Sequence, residues 1–300
     1  AKTAITMMDE VGIQKILIMP PPMTADHAFK YDYAELAAIS KSNSDRFDFV
    51  AGGGTLNPIL NQAVASGSVS ASMKSEFEAK AKEIAKAGAA AFGEMASLHF
   101  SFADTHPFIY APPDHALFLA LADIAAQENM PIDLHIEIVA QKISLPKPLK
   151  SPPNPATLEP NLQAFERLLS HNPKARIVWA HVGWDNTGQM TTTLLRQLLE
   201  KHPNLYMSLK ITEPTSAEAQ VETNRPIDSK GKIRSDWLKL ISDFPDRFLI
   251  GSDEFFSQPN TPRTGPPSTK MTWSIVNQLP SDVARKVACE NVTKIYKMGK

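Results

Sequence analysis

Short apolar runs alternate with amphipathic helical segments along almost the whole chain, and this alternation restricts the fold more than any other feature of the sequence. The apolar runs are rich in β-branched residues, which is typical of buried strands. We predict seven strands, at Lys15–Met19, Phe47–Ala51, Ala89–Glu94, Pro131–Glu137, Ile177–His181, Leu205–Leu209 and Phe248–Asp253. Strands that alternate with helices predict right-handed crossovers and a parallel sheet that is buried on both faces.

A (β/α)8 TIM barrel is the α/β architecture that best fits this pattern in 300 residues, and we assign residues 1–300 to a single barrel domain. A doubly wound open sheet is the alternative. The chain begins with a predicted helix, Lys2–Val11, in the place of the first helix of such a barrel. We therefore expect the first strand to lie upstream of Ala1.

Composition excludes several classes of site and partner. The formal net charge of −1 gives no overall attraction to nucleic acid or to an anionic membrane surface. The single cysteine, Cys289, excludes an intramolecular disulfide framework and a cysteine-rich zinc site, so histidines and carboxylates would have to hold any metal. No apolar run approaches the roughly 20 residues that span a bilayer. The chain starts with Ala-Lys-Thr instead of a signal peptide, which favours a cytoplasmic protein with an incomplete N-terminus.

Four polar residues lie at or near the predicted carboxyl ends of separate strands: Glu94, His135, His181 and Asp253. Active sites of TIM barrels are built on that face, because the strand ends converge there. Imidazole nitrogens and carboxylate oxygens suit zinc, with manganese and iron as alternatives. The sequence therefore predicts a divalent metal site made by these four residues.

Several segments carry a family resemblance. PIDLHIE, IVWAHVGWD, FLIGSDEF and ENVTKIYKM resemble the later strands and the final helix of the amidohydrolase superfamily, particularly its amidohydrolase family 2 branch of TIM-barrel hydrolases and decarboxylases. The resemblance covers nearly the whole chain. It implies that His135 and His181 bind metal or substrate, that Asp253 binds metal and shuttles a proton, and that Glu94 takes the place of a metal-bridging residue.

One motif of that family has no counterpart in this sequence. The His-x-His pair that ends its first strand does not occur among the histidines of these 300 residues. Either the pair belongs to a missing N-terminal segment, or the protein resembles the members that work without metal. We expect the former, because a parallel barrel that lacks one strand would expose two unpaired edges.

The resemblance implies metal-assisted hydrolysis of a small carboxylic-acid ester, lactone or amide. In this hypothesis Asp253 takes the proton of the attacking water and His181 stabilises charge on the substrate oxygen. Three alternatives stay open: non-oxidative decarboxylation of an aromatic or unsaturated acid, a TatD-like metal nuclease, and a barrel that binds a ligand without chemistry.

Other residues are candidates for substrate contacts. Trp184 follows His181 closely, Arg225 and Arg263 lie in the loops after the last two strands, and His99 follows Glu94. An arginine can hold a substrate carboxylate with two hydrogen bonds. We expect a small-molecule substrate, no nucleic-acid or membrane partner, and an assembly compatible with a homodimer.

Overall fold

The computed structural model describes residues 1–26, 33–102, 106–211, 224–256 and 268–298. Its strands are β1 Ile16–Ile18, β2 Phe47–Phe49, β3 Ala51–Gly52, β4 Phe92–His99, β5 Ile109–Tyr110, β6 Ile132–Ile136, β7 Ile143–Ser144, β8 Thr157–Leu158, β9 Ile177–Val182, β10 Leu205–Leu209 and β11 Phe248–Ile250. Its α-helices are α1 Lys2–Val11, α2 Tyr33–Ser42, α3 Leu56–Ala65, α4 Ala71–Lys86, α5 Ala116–Glu128, α6 Leu162–His171, α7 Thr192–Lys201, α8 Ser235–Asp243, α9 Thr269–Ser274, α10 Ser281–Arg285 and α11 Asn291–Tyr296.

The main strands pair in parallel and in chain order. Strand β1 pairs with β2, and β3 continues the array through β4, β6, β9, β10 and β11. Strands β2 and β3 are separated only by Val50, so all seven predicted strand regions are present. Helices connect the successive strands, which agrees with the predicted α/β barrel architecture.

The helices cover the outer face of this sheet because their apolar residues recur at helical spacing. In α6, Phe165, Leu168 and Leu169 are buried, and Phe165 packs edge-on against Trp179 of β9 with ring centroids 5.4 Å apart. Thr191 caps the amino end of α7, and its hydroxyl accepts a hydrogen bond from the Leu194 amide. The large core cluster lies between the helices and the outward side chains of the strands.

Short antiparallel pairs add to the carboxyl side of the strands. Strand β5 pairs with the end of β4, and β7 and β8 form a small hairpin within the long proline-rich loop after β6. Leu149 and Leu158 of that loop pack into a cluster with Phe100. Among the described residues, no helix has both the length and the hydropathy that crossing a membrane requires.

Candidate metal centre at the carboxyl ends of the strands

A bulge in β4 places Glu94. Phe92 pairs with Ile132 and Met95 with Leu134, so Gly93 and Glu94 together stand opposite Asp133 of β6. Such a bulge changes the direction of the side chain that it carries. The predicted end of this strand at Glu94 is wrong, because β4 continues to His99. Glu94 reaches the site through the bulge and not through a strand end.

The bulge is held by an asparagine that the sequence analysis did not identify. Asn57 of α3 is fully buried; its amide donates to the Glu94 carbonyl at 2.8 Å, and its carbonyl accepts from the Ala96 amide at 3.1 Å. Gly93 is required beside it, since a Cβ there would lie 2.8 Å from the Asp133 Cβ. Asn57 therefore satisfies backbone groups on both sides of Met95 in the irregular part of the strand.

Strand β6 supplies the second donor by simple alternation. Its apolar residues face the helices, whereas Asp133, His135 and the following Glu137 occupy every second position and share the inner face. All three are buried. The pattern PIDLHIE thus encodes a polar inner row on an otherwise apolar strand, and His135 lies in its middle.

A second bulge, in β9, directs His181. Met207 of β10 pairs with Trp179, and Leu209 pairs with Val182, so Ala180 and His181 stand opposite a single residue. His181 has φ of 61° and Asp253 has φ of 53°, in the left-handed region that side chains with a Cβ rarely adopt. Asn129 and Lys297, with φ of 55° and 56°, are helix C-caps, where this geometry is ordinary. Unusual backbone away from helix ends therefore coincides with the site.

Glu94, His135 and His181 bring their donor atoms together. Glu94 Oε1 lies 3.0 Å from His135 Nδ1 and 2.8 Å from His181 Nε2. One possible ligand atom from each residue lies within 4.8 Å of the others. Two imidazoles and a carboxylate on rigid strands are a donor set that suits zinc, manganese or iron and leaves coordination positions open. The chemistry of these residues therefore fits a divalent ion.

The electrostatics of this group are strongly coupled. Burial lowers the pKa of His135, but hydrogen bonds with Glu137 and Glu94 and their negative charges outweigh it and raise the pKa to about 9. Burial raises the pKa of Glu94, yet the neighbouring His181 and His135 hold it well below its usual range. The two carboxylates thus favour the protonated form of His135.

Asp253 lies beside the three donors, and its closest contact is a lysine. Its Oδ2 is 4.0 Å from His181 Nε2 but 2.7 Å from the Nζ of Lys210, which follows β10. Lys210 is only 2% exposed, and its Nζ lies 3.4 Å from the centroid of the Trp184 ring. Lys210 is not among the predicted site residues, although a lysine directly after the apolar strand LYMSL is a visible signal.

Aromatic and imidazole rings form a continuous wall around the donors. Ring centroids are 4.8 Å apart for His99 and His135, 4.2 Å for His99 and His106, and 5.5 Å for His106 and Phe102. Phe102 stacks on Trp184 at 5.6 Å, and Trp184 lies 5.9 Å from His181. This ring wall comprises His99, Phe102, His106, His135, His181 and Trp184, two of which, His99 and Trp184, are predicted substrate-binding residues.

The outer histidines of this wall are neutral. Burial, strengthened by the neighbouring imidazoles, holds the pKa of His99 well below its ordinary value. Burial likewise lowers the pKa of His106 to about 4. His99 Nδ1 lies 2.9 Å from the carbonyl of Pro107, to which it donates. The other nitrogen of His99 is therefore left as a hydrogen-bond acceptor.

Polar atoms without protein partners also gather here. Within the described residues, His181 Nδ1, Trp184 Nε1, Asn186 Oδ1 and His106 Nδ1 are buried and make no hydrogen bond. Asn186 is tied to the inner row through its amide, which donates to Glu137 Oε1 at 2.7 Å. Buried polar groups are nearly always paired, so unpaired ones around a single group of donors indicate a place for a ligand.

Of the two arginines predicted to bind substrate, only Arg225 lies within the described residues. Arg225 is 5% exposed and lies between Asn224, which donates to Asp185 Oδ2 at 2.6 Å, and Pro226, which contacts Gly183 closely. It is therefore next to the loop that carries Trp184. Arg263 lies outside the described residues, and its role in substrate binding stays a prediction.

No protein-family model matches the chain, and no curated protein matches it in sequence. Solved structures do match its fold. An uncharacterised TIM-barrel protein from Bordetella bronchiseptica is 15% identical with a TM-score of 0.58, over 98% of this chain and 82% of its own. The 2,6-dihydroxybenzoate decarboxylase from Rhizobium is 13% identical with a TM-score of 0.54, over 98% of this chain and 87% of its own. Dihydroorotase from Saccharomyces cerevisiae is 12% identical with a TM-score of 0.55, over 98% of this chain and 79% of its own.

These likenesses confirm the predicted TIM-barrel fold. The identities are too low to transfer a family, a reaction or a substrate. The parallel strands in chain order and these structural neighbours together give one conclusion: the chain has a TIM-barrel fold.

Proposed function

We propose that the protein is a metal-dependent hydrolase that acts on a small carboxylic-acid ester, lactone or amide. The convergence of Glu94 with His135 and His181 in one buried group supports this proposal most strongly. Zinc is the ion that we expect, because neutral imidazoles and a carboxylate are its common oxygen and nitrogen ligands. Bound there, a divalent ion supplies Lewis acidity, which polarises a substrate carbonyl and makes water more acidic.

The surrounding residues have roles that follow from their positions. Asp253 Oδ2 lies 4.0 Å from His181 Nε2, where a carboxylate can accept a proton from an attacking water. The Trp184 Nε1–H group, buried without a partner among the described residues, offers a hydrogen bond to a substrate oxygen. His99 and His106 extend the ring wall away from His135 as neutral imidazoles.

Non-oxidative decarboxylation of an aromatic acid is the second candidate. The ring wall favours it, since the stacked rings of Phe102 and Trp184, with an interplanar angle of 28°, give the site an aromatic lining next to His181. One of the structural neighbours is a decarboxylase of a dihydroxybenzoate. The nuclease alternative has less support, because a net charge of −1 does not attract a polyanion.

Metal binding is tested first, by titration of metal-free protein with Zn²⁺ against a chromophoric chelator. Glu94→Gln, His135→Asn and His181→Asn should each weaken zinc binding by about 100-fold or more, since even loss of an outer-sphere partner costs up to about 100-fold. Asparagine is preferred at position 181 because it tolerates positive φ. His171→Asn is the matched control: this histidine also pairs with a carboxylate, Asp123 Oδ2 at 3.1 Å, but lies on the surface of α6.

The reaction is tested with the zinc-loaded protein and a panel of lactones, cyclic amides, aromatic acids and oligonucleotides. Hydrolysis of a lactone, ester or amide that depends on Glu94 and Asp253 is the expected result. Release of CO₂ from an aromatic acid would establish the second candidate. Absence of zinc binding by the unmodified chain would overturn the metal-dependent mechanism.

A further inference from the structure

Lys210 is the only buried lysine among the described residues. Its side chain is 3% exposed, it forms an ion pair of 2.7 Å with Asp253, and its ammonium lies over the Trp184 ring. Taking an ammonium group out of water is costly unless its new contacts replace hydration. A carboxylate and an aromatic face are the two contacts that do so. The barrel therefore holds a fixed positive charge next to the proposed metal centre.

The charges around the imidazoles show what this lysine does. Three carboxylates lie within 4.0 Å of His135 or His181, namely Glu94, Glu137 and Asp253. Lys210 neutralises one of these three negative charges. A single divalent ion balances the other two charges.

Lys210 is close enough to the donor atoms for its charge to act on a bound cation. Lys210 Nζ is 2.7 Å from the same Asp253 oxygen that lies 4.0 Å from His181 Nε2, so the ammonium lies within about 7 Å of that nitrogen. A second cation at Asp253 would have to sit against this ammonium. Repulsion at such a distance inside a buried site is large enough to change an affinity by tenfold or more.

We propose that Lys210 acts as a permanent positive charge in the site. Its ion pair with Asp253 limits the centre to one divalent ion and lowers the affinity of the site for that ion. This inference rests on the proposed metal-dependent function. Lys210 acts here as a positioning residue, because it works through Asp253 and through charge and not by binding the ion.

A double-mutant cycle on zinc affinity tests the proposal, with Kd measured by chelator competition and stoichiometry by elemental analysis. The unmodified chain should bind one zinc ion. Lys210→Met should bind zinc about tenfold or more tightly, because an opposing charge is lost and Asp253 is freed. Asp253→Asn, which tolerates the positive φ at this position, should bind about tenfold more weakly. The double variant should return to within about threefold of the starting affinity.

Controls separate charge from damage to the fold. Lys86→Met removes an exposed lysine of α4 and should leave the zinc Kd unchanged. If Lys210→Met folds poorly, the double variant compared with Asp253→Asn measures the same charge, and it should bind zinc more tightly than Asp253→Asn. Unchanged or weaker binding in both lysine variants, or two zinc ions in the unmodified chain, would overturn the role of Lys210. No zinc binding by the unmodified chain would overturn the proposed function and this inference with it.

Discussion

At the residue scale, the site is built from side chains whose environments differ sharply over a few ångströms. His135 has a pKa of about 9, whereas His106, two rings away along the wall, has a pKa of about 4. The difference follows from neighbours: two carboxylates face His135, while burial and a nearby imidazole act on His106. The wall therefore combines a charged inner edge with a neutral outer edge.

The neutral state of His106 predicts a pH-dependent stability. Its folded pKa of about 4 lies below the ordinary value of 6.5, so the unfolded chain binds the proton first as the pH falls. The contribution of His106 is thus present above pH 6.5 and is lost towards pH 4. Between pH 7 and pH 5 this amounts to about 2 kcal/mol.

His106→Gln should remove this dependence. In urea unfolding, the unmodified chain should lose about 2 kcal/mol more stability than the variant between pH 7 and pH 5. Circular dichroism at pH 7 checks that the variant is folded. Equal losses for the two proteins would mean that His106 is protonated in the folded state.

Three of the predicted donors, His135, His181 and Asp253, lie in the carboxyl-terminal part of an apolar strand or just after it. Their proximity follows from the convergence of parallel strand ends. Asn57 was not predicted because its role depends on a distant partner, the β4 bulge. Lys210 does follow an apolar strand, but its pairing with Asp253 is visible only in the structure. Position in the sequence predicted which strands form the site, but not the charge balance within it.

At the element scale, side-chain amides and hydroxyls replace missing partners where the strands become irregular. Asn57 bonds to both sides of the β4 bulge. Asn161 donates to the Glu137 carbonyl and accepts from the Val139 amide after β6, both at 2.8 Å. Thr272 does the same for both backbone groups of Ile211 after β10. These side chain–backbone hydrogen bonds allow strands to depart from regular pairing without leaving buried backbone groups unpaired.

Removing the Asn57 side chain should therefore both destabilise the fold and disturb the site. Asn57→Ala leaves the Glu94 carbonyl and the Ala96 amide buried without their partner, which should cost about 3 kcal/mol of unfolding free energy. Zinc affinity should fall as well, because the bulge that aims Glu94 is no longer held. Chemical denaturation and chelator competition measure the two effects.

Asn61→Ala is the matched control for that experiment. Asn61 lies one turn further along α3 and donates only to the Asn57 carbonyl, at 2.8 Å and partly buried. Its replacement should cost less than about 1 kcal/mol and leave zinc binding intact. Equal losses of stability and zinc affinity in the two variants would indicate that α3 as a whole, and not the two hydrogen bonds of Asn57, supports the site.

At the scale of the whole molecule, the last helix ties the barrel together at the end opposite the site. Ile295 and Tyr296 of α11 pack against Val178 and Leu249, near the amino ends of β9 and β11. Tyr296 also donates from its hydroxyl to Asp133 Oδ2 at 2.6 Å, which joins residues 163 positions apart. The same inner row of β6 thus contacts α11 through Asp133 and contributes His135 to the proposed metal centre. The resemblance of ENVTKIYKM to a final barrel helix predicted the helix but not this hydrogen bond.

Tyr296→Phe tests how much this closing contact contributes to the global stability. The substitution keeps the ring and removes one hydroxyl, so Asp133 loses its buried donor while the surrounding packing is retained. The loss should be about 2 kcal/mol in chemical denaturation, because a buried acceptor is left without its partner. Tyr110→Phe is the control, since Tyr110 is 38% exposed and its replacement should change stability by no more than about 0.5 kcal/mol. Zinc affinity should stay the same in both variants, since Tyr296 bonds to Asp133 and not to the three donors. A fall in zinc affinity with Tyr296→Phe would show that α11 positions His135 through the shared strand.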